Sequence, residues 1–194
     1  MYRYAWVLLA ASMATPALAD HIPGHECNYS IPGYTPNRFV DNGDGTISDR
    51  RTGLVWQRCP LGDDYDPGTG QCTTVDTAGA RKTWQQALQA AADLNVDGST
   101  PADQQWRLPN LKELASLINH HCHDPAAFSA SLPAFANHTS YWTSTPFLFS
   151  VVPYDTTVTN QAWLVNFSAG KADHKSIRLP SPVLLVKTSR GESQ

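Results

Sequence analysis

Beyond Ala19 this chain has no apolar run long enough to cross a bilayer, which takes about 20 residues. It also lacks a surplus of positive charge: 14 Lys and Arg face 17 Asp and Glu, for a formal net charge of −3. That balance argues against nucleic acid or anionic lipid as a partner held by global attraction. No C-x-x-C pair is present and no cysteine follows Cys122, so the usual start of a zinc site is missing. Neither a G-x-S-x-G elbow nor an H-E-x-x-H helix occurs, so no catalytic residue is assigned, and neither cofactor nor metal is expected.

What the chain does have begins at its N-terminus. Arg3 precedes an apolar run from Ala5 to Ala19 that closes in Ala17-Leu18-Ala19, the small-x-small pattern of signal-peptidase cleavage. Residues 1–19 therefore read as a signal peptide, and no cysteine follows at once to carry a lipid anchor. Four cysteines remain, Cys27, Cys59, Cys72 and Cys122. An even number in an exported chain argues for two disulfides. Of the three connectivities, the turn-rich stretch with Pro60, Gly62, Pro67, Gly68 and Gly70 favours Cys59–Cys72, leaving Cys27 to tie the N-terminal segment to Cys122. The expected location is the periplasm or the cell surface.

Residues 20–37 read as an extended lead-in, 38–188 as one domain and 189–194 as a polar tail. Strand patterns appear at Arg38–Val40, Thr46–Asp49 and Leu54–Arg58, separated by glycine turns. Two helices follow. Thr83 and Gln86 form a capping box ahead of a stripe of Trp84, Ala87, Leu88 and Ala91. A second stripe, Leu111, Leu114, Ala115 and Ile118, follows Pro109 and Asn110. Strands return at Ser140–Thr145, Ala162–Phe167, Lys175–Leu179 and Pro182–Thr188. In the Ala162 segment, Trp163, Val165 and Phe167 share one face. Strands, then two helices, then strands make an α+β fold.

Six segments in one order carry a resemblance: RFVDNGDGTISD from Arg38, TGLVWQRC from Thr52, WQQAL from Trp84, WRLPNLKEL from Trp106, YWTS from Tyr141 and AWLVNF from Ala162. Together they resemble the Lcl C-terminal domain family, a bacterial extracytoplasmic module, over Arg38 to Lys187. The resemblance implies a C-type-lectin-like fold with two helices packed on short antiparallel strands. RLPNLKEL is also similar to the R-L-P-T-x-x-E-W signature of formylglycine-generating-enzyme-like domains, but the reactive C-terminal cysteines of that chemistry are missing here. The family's namesake domain ends an adhesin that binds sulfated polysaccharides, which implies surface binding without catalysis.

Several constellations carry chemistry or its alternatives. Asp41 to Asp49 misplaces the oxygen ligands of a calcium loop, so a β-turn explains it better. His120, His121 and His123 sit at the end of the second helix with spacing too irregular for a ligand set. Arg107 is expected to lock the loop before that helix by pairing with Glu113, a structural role in which its loss leaves a buried charge stranded. Trp142, Ser144, Trp163, Asn166, Lys171, Lys175 and Arg178 are the expected ligand contacts. Aromatic faces stack on sugar rings, amides bond hydroxyls, and cations meet sulfate or carboxylate. The run Phe147, Leu148, Phe149, Val151 and Tyr154 is either core or a patch for a protein partner. The early hairpins are expected to be scaffold. The resulting expectation is an adhesin or assembly subunit that recognises a glycan or a protein, with self-association left open. A structural subunit of a fibre or secretion complex, or a secreted metal-dependent enzyme, are the alternatives.

Overall fold

The computed structural model describes residues 26–27, 37–74, 80–96, 98–123, 125–128, 131–132, 134–137, 140–148 and 160–189. The leader, most of the lead-in, the end of the polar tail, and Phe149, Val151 and Tyr154 lie outside the described residues. In chain order the early strands are β1 (Glu26–Cys27), β2 (Phe39–Asp41), β3 (Thr46–Asp49), β4 (Leu54–Gln57), β5 (Asp63–Asp66) and β6 (Gln71–Thr74). Helices α1 (Trp84–Asp93) and α2 (Leu111–Ala115) follow, with a 3-10 turn at Ala102–Gln104 between them. After β7 (Cys122–His123) and the single turn α3 (Ala134–Asn137) come β8 (Ser140–Phe147), β9 (Gln161–Asn166), β10 (Lys171–Ser176) and β11 (Val186–Thr188). All sheets are antiparallel: a four-stranded one ordered β11-β4-β3-β2, a three-stranded one ordered β10-β9-β8, and the pairs β5-β6 and β1-β7.

Glycine turns and buried charge make the first sheet. Gly43 and Gly45 adopt positive φ between β2 and β3, where a side chain would be strained. Asp41 accepts from the Gly43 N–H and Asp44 from the Thr46 N–H, so each aspartate closes a turn on its own backbone. Behind the sheet, Arg38 donates through Nε and Nη2 to both carboxylate oxygens of Asp49, at 2.8 and 2.5 Å. Arg38 also donates to the Ser116 carbonyl at 2.9 Å, which ties the sheet to the end of α2. Its guanidinium lies against the edge-to-face pair of Phe39 and Phe128, 4.7 and 5.1 Å from their centroids. Both charged side chains are buried.

Both expected disulfides form. Cys27 and Cys122 face one another across β1 and β7, and Cys59–Cys72 closes a separation of 13 residues. That second stretch is not the plain loop its glycines and prolines suggest: β5 and β6 form a hairpin inside it.

The first helix starts at the cap read from the sequence, and the second at a cap not singled out from the sequence. Thr83 and Gln86 complete one capping box, and Asn110 with Glu113 complete another. In α1, Ala87 and Ala91 are buried, but Leu88 is exposed because the helix rests on its small residues. The second helix stops at Ala115, with Ser116 as its C-cap. Leu114 is in the core, and Leu111, Ala115 and Ile118 lie at its margin.

The three-stranded sheet separates two cores. Tyr141, Val165 and Phe167 join Trp56, Leu114, Leu117 and Phe135 on the α2 side. Trp142, Leu164 and Ala162 join Ala87, Ala91 and Leu108 on the α1 side. The segment 183–186 runs between them and serves both: Val183 and Leu185 enter one core, Leu184 and Val186 the other, all four completely buried. Only its last part is strand, because residues 181–185 bond to several elements in turn. The Ser181, Pro182, Val183 and Leu185 carbonyls accept from Lys82, Trp142, Leu61 and Gln57 N–H groups. The strand expected at Lys175–Leu179 lies four residues earlier, where Lys171–Ser176 pairs with β9 along its whole length.

Candidate functional site

The expected contact residues separate once they are placed. Trp142 is not a surface contact: it is completely buried and its indole N–H donates to the Lys82 carbonyl at 2.9 Å. Covered by α1 and the 183–185 segment, it is core. Ser144 is half-buried and bonds the Pro109 carbonyl through N–H and hydroxyl, at 2.8 and 3.3 Å. Asn166 accepts from the Ala169 N–H and so shapes the turn between β9 and β10. Lys175 donates to the Pro180 carbonyl and the Ser181 hydroxyl, at 2.9 and 3.0 Å. Desolvation, with the nearby charge of Arg81, lowers its pKa.

Lys171 and Arg178 are exposed, but Lys171 opens β10 and Arg178 lies two residues past its other end, with a strand about 17 Å long between them. The three cations therefore do not form one patch. Arg107 and Glu113 make the expected pair, with two parallel bonds of 2.7 Å. Burial raises the Glu113 pKa, but the Arg107 bonds and the Asn110 N–H outweigh it and the net shift is downward. The Arg107 side chain is 41% exposed, however, so the charge left by its loss would be partly solvated and not stranded.

What the sheet does assemble is an aromatic end. Trp163 shares its face with Val165 and Phe167, but projects past the core and is only half-buried. His174 lies opposite it across the β9–β10 ladder, and Phe147 lies opposite Gln161 across β8–β9. The Phe147 and His174 rings stack at 4.0 Å with 13° between planes, and Trp163 meets Phe147 edge-on at 5.0 Å. His174 Nδ1 bonds the Gln161 side-chain oxygen, which holds the imidazole in this stack. A β-bulge between Trp142 and Pro146 brings Phe147 onto this face. Leu148, next along, is 63% exposed. His174 was not expected here. Its signal was present only as a polar residue opposite Trp163, which requires the register of a strand misplaced by four residues.

A second concavity lies on the side read as scaffold. The turn Gly43–Thr46, the segment Cys59–Tyr65, and Gln57, Trp106 and Lys187 enclose an open groove of about 860 Å³. It continues through shared Asp44, Thr46 and Lys187 into a second depression on the outer face of the four-stranded sheet. Its walls are held in place. Arg58 lies 4.2 Å from the Tyr65 ring and pairs with Asp41, and its N–H donates to the Gly45 carbonyl. The Gly43 N–H bond, with help from Arg58, keeps the Asp41 pKa low. Asn95 grips Trp106 from behind, bonding its backbone N–H and carbonyl at 3.0 and 2.8 Å. Lys187 lies 4.6 Å from the Trp106 ring. No motif announces this groove, because its walls come from four separated segments.

No set of His, Cys, Asp and Glu side chains suited to holding a metal occurs among the described residues. None of their helices is long and apolar enough to cross a membrane. The two disulfides fit a domain that folds in an oxidising compartment. The profile of the Lcl C-terminal domain matches residues 45–187, and the chain belongs to that family. No curated protein matches it.

Proposed function

We propose that this member of the Lcl C-terminal domain family is an exported, non-catalytic binding module, an adhesin or assembly subunit that recognises a glycan or a protein. The observation that carries this reading is the aromatic end of the three-stranded sheet. Phe147, Trp163 and His174 meet there outside both cores, on three strands paired in one sheet. Large flat side chains on a rigid sheet supply contact area at little entropic cost. Exposed Leu148 extends the apolar surface, and Lys171 and Arg178 flank the sheet at its two ends. Two antiparallel sheets with a helix on each side of the smaller one, closed by two disulfides, support a C-type-lectin-like fold. A leader removed after Ala19 would deliver the mature chain to the periplasm or the cell surface.

The test is binding of the mature chain to a glycan array and to intact envelope protein, with Trp163→Ala and the Phe147→Ser/Leu148→Ser double variant alongside. Loss of binding in both variants with the fold kept supports the reading; wild-type binding in both overturns it. Salt then identifies the partner. A sulfated polymer held by Lys171 and Arg178 dissociates as salt rises, since screening at 0.15 M acts within about 8 Å. A protein docked on Phe147 and Leu148 stays bound, because apolar burial drives it.

A further inference from the structure

From the lining of the groove beside the disulfide hairpin we infer that it is a second ligand site, and that it takes an uncharged saccharide. This site does not rest on the reading of the aromatic end. Its volume of about 860 Å³ lies within the roughly 300–1,000 Å³ of small-ligand sites. The walls are held in place before any ligand arrives. The Cys59–Cys72 bridge, the Asp41 and Asp44 turns and the Arg58–Tyr65 stack fix the two sides, and Asn95 fixes Trp106. Little order would have to be gained on binding.

The side chains facing the groove have unused bonding capacity. The indoles of Trp84 and Trp142 both donate to backbone carbonyls, at 2.7 and 2.9 Å. The half-buried Trp106 indole, the half-buried Gln57 amide, the Asp64 carboxylate and the Tyr65 hydroxyl make no hydrogen bond to the described protein. One side thus offers an N–H donor and an amide, the other a carboxylate and a phenol, with aromatic carbon beside each. Sugar rings present that combination in reverse: hydroxyls around the rim that donate and accept, and C–H faces that pack on aromatic carbon.

Charge selects among saccharides. Three carboxylates, Asp44, Asp63 and Asp64, line the groove against one ammonium, Lys187, which is held over the Trp106 ring. A sulfated or uronic chain would meet like charge there, and such juxtaposition is costly. An uncharged chain meets no like charge there, and its hydroxyls can donate to the carboxylates. The opening onto the outer face of the four-stranded sheet, past Thr46 and Ser48, leaves room for a polymer to continue.

The mature, disulfide-bonded chain should be titrated calorimetrically with uncharged gluco-, galacto-, manno- and N-acetylglucosamine oligosaccharides. Dextran sulfate serves as the polyanionic competitor. The expected result is binding of at least one uncharged series that is insensitive to salt between about 0.05 and 0.5 M. Gln57→Ala and Trp106→Ala should each weaken it roughly ten-fold or more, and dextran sulfate should not displace it. Trp163→Ala should leave it unchanged, which separates this site from the aromatic end. Asp64→Ala, at an exposed position, gives the same reading should Trp106→Ala fail to fold. Failure of every uncharged series to bind overturns the inference. So does binding that survives both Gln57→Ala and Asp64→Ala, or displacement of the bound saccharide by dextran sulfate.

Discussion

The four-stranded and three-stranded sheets of this domain treat polar groups in opposite ways. Around the first, charged side chains are buried in pairs. Arg38 and Asp49 are sealed behind β3, and Arg58, itself buried, reaches out to Asp41 over the Tyr65 ring. Around the second, uncharged side chains, chiefly the tips of aromatic ones with the Thr143 hydroxyl, bond backbone carbonyls. Trp142 and Trp84 donate to Lys82 and Thr143, and the Tyr141 hydroxyl donates to Ala134 at 2.5 Å. An ion pair fixes a geometry strongly but leaves a charge behind when one partner goes. An aromatic tip leaves only a carbonyl, which costs far less to strand. The first sheet should therefore break abruptly at single charges, and the second should yield gradually to changes in packing.

The contrast is broken most directly at Arg38. Arg38→Ala strands the Asp49 carboxylate and should destabilise the domain by about 3–5 kcal/mol, read from urea unfolding midpoints. Arg38→Lys should restore little of this, because an ammonium cannot make the two parallel bonds to Asp49 or match the planar guanidinium against the Phe39 and Phe128 rings. A loss below about 1 kcal/mol in Arg38→Ala would show that the pair is not sealed. The same pair sets the response to acid. Burial alone would raise the Asp49 pKa, but bonds from Arg38, Thr52 and Arg51 bring it below its ordinary 3.8. A folded-state pKa below the unfolded one stabilises the protein above that value, and the stabilisation is lost as pH falls through the folded pKa. Stability of the wild type should thus fall below about pH 4, and that part of the fall should vanish in Asp49→Asn.

The disulfide hairpin comes next. Replacing Cys59 and Cys72 together by Ser should cost about 3 kcal/mol for a loop of this size, with the greater part of the change near the groove. Hydrogen exchange in β5 and β6 should rise more than in β8 and β9; a uniform rise would mean that the hairpin is not a local unit. Arg107→Ala should have the smallest effect, about 1 kcal/mol, because the guanidinium is 41% exposed and Glu113 keeps the Asn110 N–H. A shift in melting temperature as large as that of Arg38→Ala would erase the distinction between the two pairs.

Local chemistry was readable in the chain and tertiary cover was not. The Thr83–Gln86 box, both disulfides and the shared face of Trp163, Val165 and Phe167 depend on neighbours a few residues apart or on a pairing of four cysteines. The β5–β6 hairpin was hidden because Asp63–Asp66 and Gln71–Thr74 have no apolar alternation: the hairpin is held by its bridge and carries little core. Strand β10 was misplaced for a related reason, since Lys171–Ser176 pairs with β9 on one edge only and buries no side chain of its own. Trp142 and Trp163 look alike in sequence, each a tryptophan among small and aliphatic residues. One lies under α1 and the 183–185 segment, and the other projects beyond the reach of α2. The groove needed four segments to be placed before any of its residues could be singled out.

The segment 183–186 bears on how such a protein is made. Synthesis delivers a chain from its N-terminus, and here neither core can close until Val183, Leu184, Leu185 and Val186 arrive. Everything before them, including the strands that will flank them, waits with apolar faces uncovered. A premature stop just ahead of residue 183 would leave two half-built interiors in place of a slightly smaller domain.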